Sequence, residues 1–252
     1  VFIDESMVDR AIDTAPSTYW HGARNRAQDI RVGHRQKKHV FSGIYGSVYI
    51  LDPEKGRRPG LMADYTDFIK LFQATDLVNV VGGLQVEPSD ADPDKKFFQM
   101  LLQIFRHTDK ALWGFPCSRE DGANMMKMTA MYLGLESDVL TRPVIGTAIC
   151  PLSPLRYTSI HADTIFTYSE QGQPLYFNSC LMAGVSAPIS LLGAATLMNA
   201  EILAGIVLTQ LIRPGAPVCY EPGGTVADLK FGIYTGGGPE SNLMVIAGIQ
   251  MA

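Results

Sequence analysis

The chain has 252 residues, 46% of them hydrophobic and 18% charged, with a formal net charge of −4 at pH 7. That length suits one large domain or two small ones, and the apolar fraction with few charges excludes a disordered chain. The missing surplus of lysine and arginine excludes a strongly basic nucleic-acid binder, and four cysteines in so long a chain do not make a disulfide scaffold, which points to the reducing cytoplasm.

Residues 1–40 read as a polar helical lead-in, with Ser6 capping a short helix through Ile12 and Pro16 ending it. The run Arg31 to His39 is basic and reads as solvated. Phe41 to Leu51, rich in glycine and aromatics, reads as a strand or hairpin, and the turn from Asp52 to Gly56 closes it. From Leu61 a rhythm begins. Helices are predicted over about 62–74, 94–107, 118–134, 156–171 and 188–212, and a last helix follows Pro239. Between them lie short apolar runs at 77–81, 111–115, 144–150, 175–178 and 218–220, whose starts are 34, 33, 31 and 43 residues apart. Apolar strands alternating with amphipathic helices at this spacing indicate βαβ units and a parallel sheet.

Two architectures carry such units, a doubly wound sheet and a (β/α)8 TIM barrel. No Gly-x-Gly-x-x-Gly follows the first strand and no Walker A sequence is present, which disfavours the nucleotide-binding version of the first. The expectation is therefore an α/β chain forming an incomplete part of a (β/α)8 barrel over residues 61–252, preceded by a helix and β-hairpin extension over residues 1–60. About five units are visible, so closure needs roughly three more strands. The chain opens on Val1 without a signal peptide and stops at Ala252 inside an apolar stretch, so it is expected to be a piece of a longer protein. An open barrel exposes sheet edges and apolar helix faces, which predicts pairing with another chain. The apolar run Ile189 to Ile212 is nearly long enough to span a membrane, but it carries Asn199, Glu201 and Gln210 and reads as a buried barrel helix. Glu201 is expected to cap or pair locally.

Charge is uneven. Residues 1–60 hold ten lysines and arginines, whereas residues 144–252 hold only Arg156, Arg213 and Lys230 against six acids. The later half suits a neutral or cationic small molecule. In a barrel, chemistry sits where strands end and loops begin, and those positions hold Trp113, Phe115, Ser153, Asn178, Tyr220 and Glu221. Aromatics with one acid and a few neutral polar groups suit a quaternary ammonium group, which has no N–H to donate and is attracted by ring faces and diffuse negative potential. Cys117, Cys150, Cys180 and Cys219 also fall at or near strand ends. With neither Cys-x-x-Cys nor His-x-Cys among them, they read as small apolar packing residues rather than a zinc site, and no bound metal is expected. His161 reads as a packing histidine, and Thr235 to Gly238 as a loop before the last helix. No Ser-x-x-Lys or Gly-x-Ser-x-Gly nucleophile pattern is present, so no catalytic residue is named.

One stretch is more specific. Ala183-Gly-Val-Ser-Ala-Pro-Ile-Ser-Leu-Leu-Gly193 runs into Asn199-Ala-Glu-Ile-Leu-Ala-Gly205 and Gln210-Leu-Ile-Arg-Pro-Gly-Ala-Pro217. This resembles the signature of the trimethylamine methyltransferase (MttB) superfamily, as do Ser153-Pro154-Leu155, the closing Gly238-Pro-Glu240 with Gln250-Met-Ala252, and Asp52 with Gly56-Arg-Arg58 and Asp64. The resemblance runs from about residue 30 to the end. It implies a corrinoid-dependent methyltransferase on a (β/α)8 barrel, moving a methyl group from a methylamine or quaternary amine to the Co(I) of a corrinoid (cobalamin) carried by a separate protein. Some members use pyrrolysine for trimethylamine, at a position that falls beyond Ala252; most bacterial relatives lack it and act on quaternary amines such as glycine betaine. Members are close to twice this length.

A quaternary ammonium is already an activated methyl donor, because a neutral amine leaves; the enzyme has to aim one N–CH3 group and exclude water. Trp113, Phe115 and Tyr220 are then expected to form a cage, with Glu221 adding negative potential and Asn178 and Ser153 binding the polar end of the substrate. A cytoplasmic homo-oligomer with a corrinoid protein as partner, and neither nucleic acid nor membrane, completes the expectation. Two alternatives stay open here. One is a zinc-dependent barrel methyltransferase or lyase using the cysteines, and the other is a non-catalytic docking platform for a corrinoid protein.

Overall fold

The structure is a computed structural model that describes residues 2–33, 40–43, 45–136 and 139–252. In chain order its elements are α1 (Glu5–Thr14), β1 (Thr18–His21), a single 3-10 turn (Arg26–Gln28), β2 (Ile30–Gly33), β3 (Tyr49–Asp52), β4 (Gly56–Pro59), α2 (Met62–Ala74), β5 (Val80–Gly82), α3 (Lys96–His107), β6 (Ala111–Trp113), α4 (Arg119–Tyr132) and β7 (Ile145–Ile149). There follow α5 (Ser159–Glu170), β8 (Leu175–Asn178), β9 (Met182–Ala183), α6 (Leu191–Ile212), β10 (Val218–Glu221), β11 (Thr225–Asp228), β12 (Ile233–Tyr234) and α7 (Pro239–Met251).

The fold is α/β. Five strands form a parallel sheet in the order β10-β8-β7-β6-β5. Every residue of β5 and β6 is buried, as are all but one in each of β7 and β8. A strand covered on both faces needs apolar side chains on both, which is why these segments read as apolar runs rather than as alternation. The chain divides into two compact units, one of residues 1–16, 116–119 and 148–252 and the other of residues 17–115 and 120–147.

In the second of these units, β1 and β2 form an antiparallel hairpin with Thr18 opposite Gly33 and His21 opposite Ile30. His21 is fully buried, and burial pushes its pKa down to about 4 against hydrogen bonds to the Val144 and Leu112 backbones. The second hairpin, β3 with β4, is closed by Asp52, whose carboxylate accepts from the Glu54 and Lys55 amides. Arg58 ties it to the next helix: its guanidinium donates to Asp52 Oδ2 at 3.0 Å and to both oxygens of Asp64 at 2.7 and 2.8 Å. Asp64 also accepts from the Leu61 amide at 2.9 Å, so one carboxylate starts α2 and anchors the hairpin. At the other end of α2, buried Lys110 donates to the carbonyls of Phe72, Thr75 and Val78 at 2.8–2.9 Å. The ammonium thus serves the Phe72 carbonyl in the last turn of α2, the Thr75 carbonyl at its cap and the Val78 carbonyl of the loop beyond.

The other unit is organised by α6, which packs against α1, α5, α7, β8 and β10. Its 22 residues are long and apolar enough to cross a membrane by length and composition, and Ala194, Met198, Glu201, Ile202, Gly205 and Ile206 are among those it buries here. Gly205 lets the helix approach the sheet, because a Cβ there would lie 2.3 Å from the Phe177 ring and 2.6 Å from the Tyr157 hydroxyl. α7 starts with Pro239 at a first-turn position and leaves Leu243, Ile246 and Ile249 exposed. A small sheet in the order β12-β11-β9 lies in the same unit.

Several sequence expectations are corrected. The cap of α1 is Asp4, whose carboxylate accepts from the Ser6 amide at 3.0 Å, and the helix runs on to Thr14. The lead-in is not wholly helical, since β1 and β2 occupy part of it. Strand structure in the 41–51 stretch is confined to Tyr49 onward, apart from bridges at Ser42 and Ser47; Arg31 belongs to β2, and residues 34–39 and Ile44 lie outside the described residues. The first parallel strand is Val80–Gly82, three residues later than its predicted start.

Candidate functional site

Three neighbouring strands, β7, β8 and β10, end in one row of polar side chains. Asn178 closes β8 and Glu221 closes β10 directly opposite it in register, with the Asn178 side chain hydrogen-bonded to the Glu221 carboxylate. Burial pushes the Glu221 pKa up to about 7, tempered by that hydrogen bond. Cys150 follows β7, and Cys180 follows β8. Their sulfurs are 4.0 Å apart, and the Cys180 S–H donates to Asn178 Oδ1 at 2.9 Å. Tyr234 on β12 stands half-exposed within electrostatic range of both thiols, its pKa raised by burial first and by those sulfurs next. The row thus offers a titratable carboxylate, an amide and two thiols at the carboxyl ends of parallel strands, where βα architectures place their sites.

Behind the row stands Glu201, buried in α6. Its carboxylate accepts from Ser153 Oγ at 2.9 Å, the Leu155 amide at 2.8 Å and Ser179 Oγ at 2.5 Å, while the Tyr157 hydroxyl donates to its backbone carbonyl at 2.8 Å. One carboxylate therefore holds the loops that follow β7 and β8. This corrects the expectation of local pairing: a charge inside a 22-residue apolar helix needs several donors, and here they come from distant segments.

The sequence-selected residues fall as follows. Asn178 and Glu221 are brought together. Ser153 gives its hydroxyl to Glu201. Tyr220, one residue before Glu221, points to the other face of β10 and donates to Asn199 Oδ1 of α6 at 3.0 Å. Trp113 and Phe115 belong to the other unit, where Trp113 is 7% exposed with its ring 6.3 Å from that of Tyr45, and Phe115 is 1% exposed and stacked on Phe97 at 5.0 Å. His161 packs as read, its ring edge-on to Tyr157, and its Nδ1 accepts from the Thr158 amide at 3.2 Å as part of the α5 cap. Thr235 is bonded through its carbonyl to Thr225 Oγ1 at 2.6 Å and through its hydroxyl to the Val226 carbonyl, so the loop ahead of α7 is tied to β11. Cys117 is buried, with its amide donating to Thr164. Among the described residues no group of three or more His, Cys, Asp or Glu side chains is placed to hold a metal ion. Sequence reasoning missed the Cys150–Cys180 contact, the bracing role of Glu201 and the position of Tyr234.

Comparison with known proteins bears on what this arrangement serves. A family model described as trimethylamine methyltransferase (MTTB) matches residues 1–252. The chain is 31% identical over 252 residues to a glycine betaine methyltransferase of Desulfitobacterium hafniense, covering 100% of this chain and 52% of that protein. It is 32% identical to a proline betaine:corrinoid methyltransferase of Eubacterium limosum, covering 100% and 53%, and 32% identical to a trimethylamine methyltransferase MttB of Desulfitobacterium hafniense, covering 99% and 50%. The chain spans about half the length of these relatives.

Proposed function

Because the chain belongs to the trimethylamine methyltransferase (MTTB) family, we propose that its protein moves a methyl group from a quaternary amine of the glycine betaine type to the Co(I) of a corrinoid held by a separate protein. Support comes from the relatives named for betaines, one of them as a corrinoid methyltransferase. In this reading the parallel sheet is part of a (β/α)8 barrel and residues 1–60 are an extension to it. The protein works in the cytoplasm as a homo-oligomer.

The observation that carries the site assignment is the Asn178–Glu221 pair. A carboxylate held near neutrality by burial gains ionisation when a fixed positive charge arrives, and a quaternary ammonium is a cation that no pH change can neutralise. Glu221 attracts the ammonium, Asn178 offers its amide to the substrate's carboxylate, and Tyr234 supplies an aromatic face at the rim. Ser153 and Tyr220 brace this arrangement through Glu201 and Asn199.

The partner's corrinoid, when bound, supplies the nucleophile that accepts the methyl group. The fit is one of access: an acceptor on another protein needs an open rim, and Cys180 and Tyr234 are both exposed. This chain's own part is to hold the ammonium, point one methyl outward and keep water away. The test is calorimetric titration of the full-length protein with glycine betaine at pH 6 and pH 8.5. With a Glu221 pKa of about 7, only about a tenth is ionised at the lower pH, so affinity is expected to rise about tenfold at the higher one, and Glu221→Gln is expected to abolish that dependence. Equal affinities at both pH values, or an unchanged profile in the variant, would remove Glu221 from the site.

A further inference from the structure

Cys150 and Cys180 sit on adjacent strands, just past the ends of β7 and β8, with sulfurs 4.0 Å apart. Neighbouring strands run about 4.8 Å apart, inside the range of Cα separations that a disulfide spans. To join, the two sulfurs close from 4.0 Å to about 2.05 Å. Their surroundings are unequal. Cys180 is exposed, whereas Cys150 is partly sheltered. From these placements we propose that Cys150 and Cys180 are a redox modification site, at which a low-molecular-weight disulfide such as oxidised glutathione closes a cross-link between β7 and β8. Coupling of that cross-link to ligand binding rests on the reading of Asn178 and Glu221 given above.

The exchange balances in two steps. Cys180 loses its proton, and its thiolate attacks one sulfur of glutathione disulfide. A bond forms between Cys180 Sγ and that sulfur, the old S–S bond breaks, and the other half leaves as a thiolate that takes up the proton. Cys150 then loses its proton, its sulfur attacks Cys180 Sγ, and the second glutathione leaves as a thiolate that is protonated in turn. The protein dithiol is oxidised to a disulfide while glutathione disulfide is reduced to two thiols. Donation from the Cys150 S–H to the Cys180 sulfur, then burial, hold the proton on Cys150, and the same hydrogen bond draws the Cys180 pKa down, so the exposed sulfur is the one that ionises first.

The cross-link also reaches the ligand row. The Cys180 S–H that donates to Asn178 Oδ1 at 2.9 Å disappears when the disulfide forms. Asn178 is the residue that hydrogen-bonds Glu221. Oxidation therefore takes a fixed donor from the amide that orders the carboxylate, and binding of a betaine is expected to weaken several-fold.

The experiment is to equilibrate the full-length protein with oxidised and reduced glutathione at graded ratios, alkylate the remaining thiols, and map peptides by mass spectrometry without reduction. The expected product is a peptide pair linked through Cys150 and Cys180, lighter by two hydrogens, with Cys117 and Cys219 still alkylated. Cys150→Ser is expected to stop at a stable glutathione adduct on Cys180, and Cys180→Ser to form neither adduct nor cross-link at Cys150. A stable adduct on Cys180 in the wild type, with Cys150 alkylated, would overturn the cross-link. Titration of the oxidised and reduced proteins with glycine betaine then tests the coupling separately. Several-fold weaker binding after oxidation supports it, and an established cross-link with unaltered affinity would sink the coupling while leaving the modification site in place.

Discussion

Replacing Glu221 by Gln tests the energetic cost of the carboxylate directly. Burial raises its pKa from 4.5 to about 7. At about 1.36 kcal/mol per unit, ionising this group in the folded protein costs about 3 kcal/mol. The sign follows from the raised value. Relative stability is fully present below the unfolded pKa of 4.5 and is lost as pH rises through the folded pKa of about 7. Glutamine keeps the shape and a hydrogen bond to Asn178 but never ionises. Glu221→Gln is therefore expected to be close to neutral near pH 4 and to stabilise by about 3 kcal/mol at pH 8.5, read as the shift in urea midpoint at constant m value. Gain of stability with loss of ligand affinity marks a group retained for function at a cost to the fold. A variant destabilised equally at both pH values would refute the claim that a buried charge is strained here.

Other substitutions probe the scaffold around the row. Glu201→Ala is expected to destabilise by about 3–5 kcal/mol, because Ser153, Ser179 and the Leu155 amide lose one shared acceptor; chemical denaturation measures it, and a loss below about 1 kcal/mol would count against the bracing role. Gly205→Ala drives a Cβ into the Phe177 ring and is expected to cost about 1–3 kcal/mol, seen as a lowered Tm. Lys110→Met removes the donor to the Phe72, Thr75 and Val78 carbonyls and is expected to speed amide hydrogen exchange in the last turn of α2, whereas unchanged protection would show that the carbonyls find other partners.

The legible part of this fold was the part ordered by periodicity. From α2 to β10, with β9 the exception, buried strands alternate with helices, so apolar runs and their spacing found the other elements to within a few residues. What escaped was ordered by longer-range bonds. The β1–β2 hairpin encloses a 3-10 turn that Asn25 caps through the Ala27 amide, and β1 does not alternate cleanly while β2 is only four residues long. β9 and β12 are two residues each and are held by their pairing with β11, which no local pattern encodes. In the proposed site, strand-end placement picked out Asn178 and Glu221, which the structure sets opposite each other because parallel neighbours bring their last residues into register. It misplaced Tyr220, since consecutive residues of a strand face opposite ways. The Cys150–Cys180 contact depends on β7 and β8 being neighbours, which the strand repeat suggested but did not demand. Glu201 carried a signal that was read too narrowly: one carboxylate in an apolar helix calls for several donors, and the helix itself has none to spare.

The most direct test of the proposed activity is spectroscopic. The full-length protein is mixed with its corrinoid protein reduced to Co(I), and glycine betaine and trimethylamine are offered separately. Loss of the Co(I) absorbance with glycine betaine and not with trimethylamine is the predicted result. Loss with trimethylamine alone would contradict the quaternary-amine reading, and loss with neither would contradict methyl transfer from either donor.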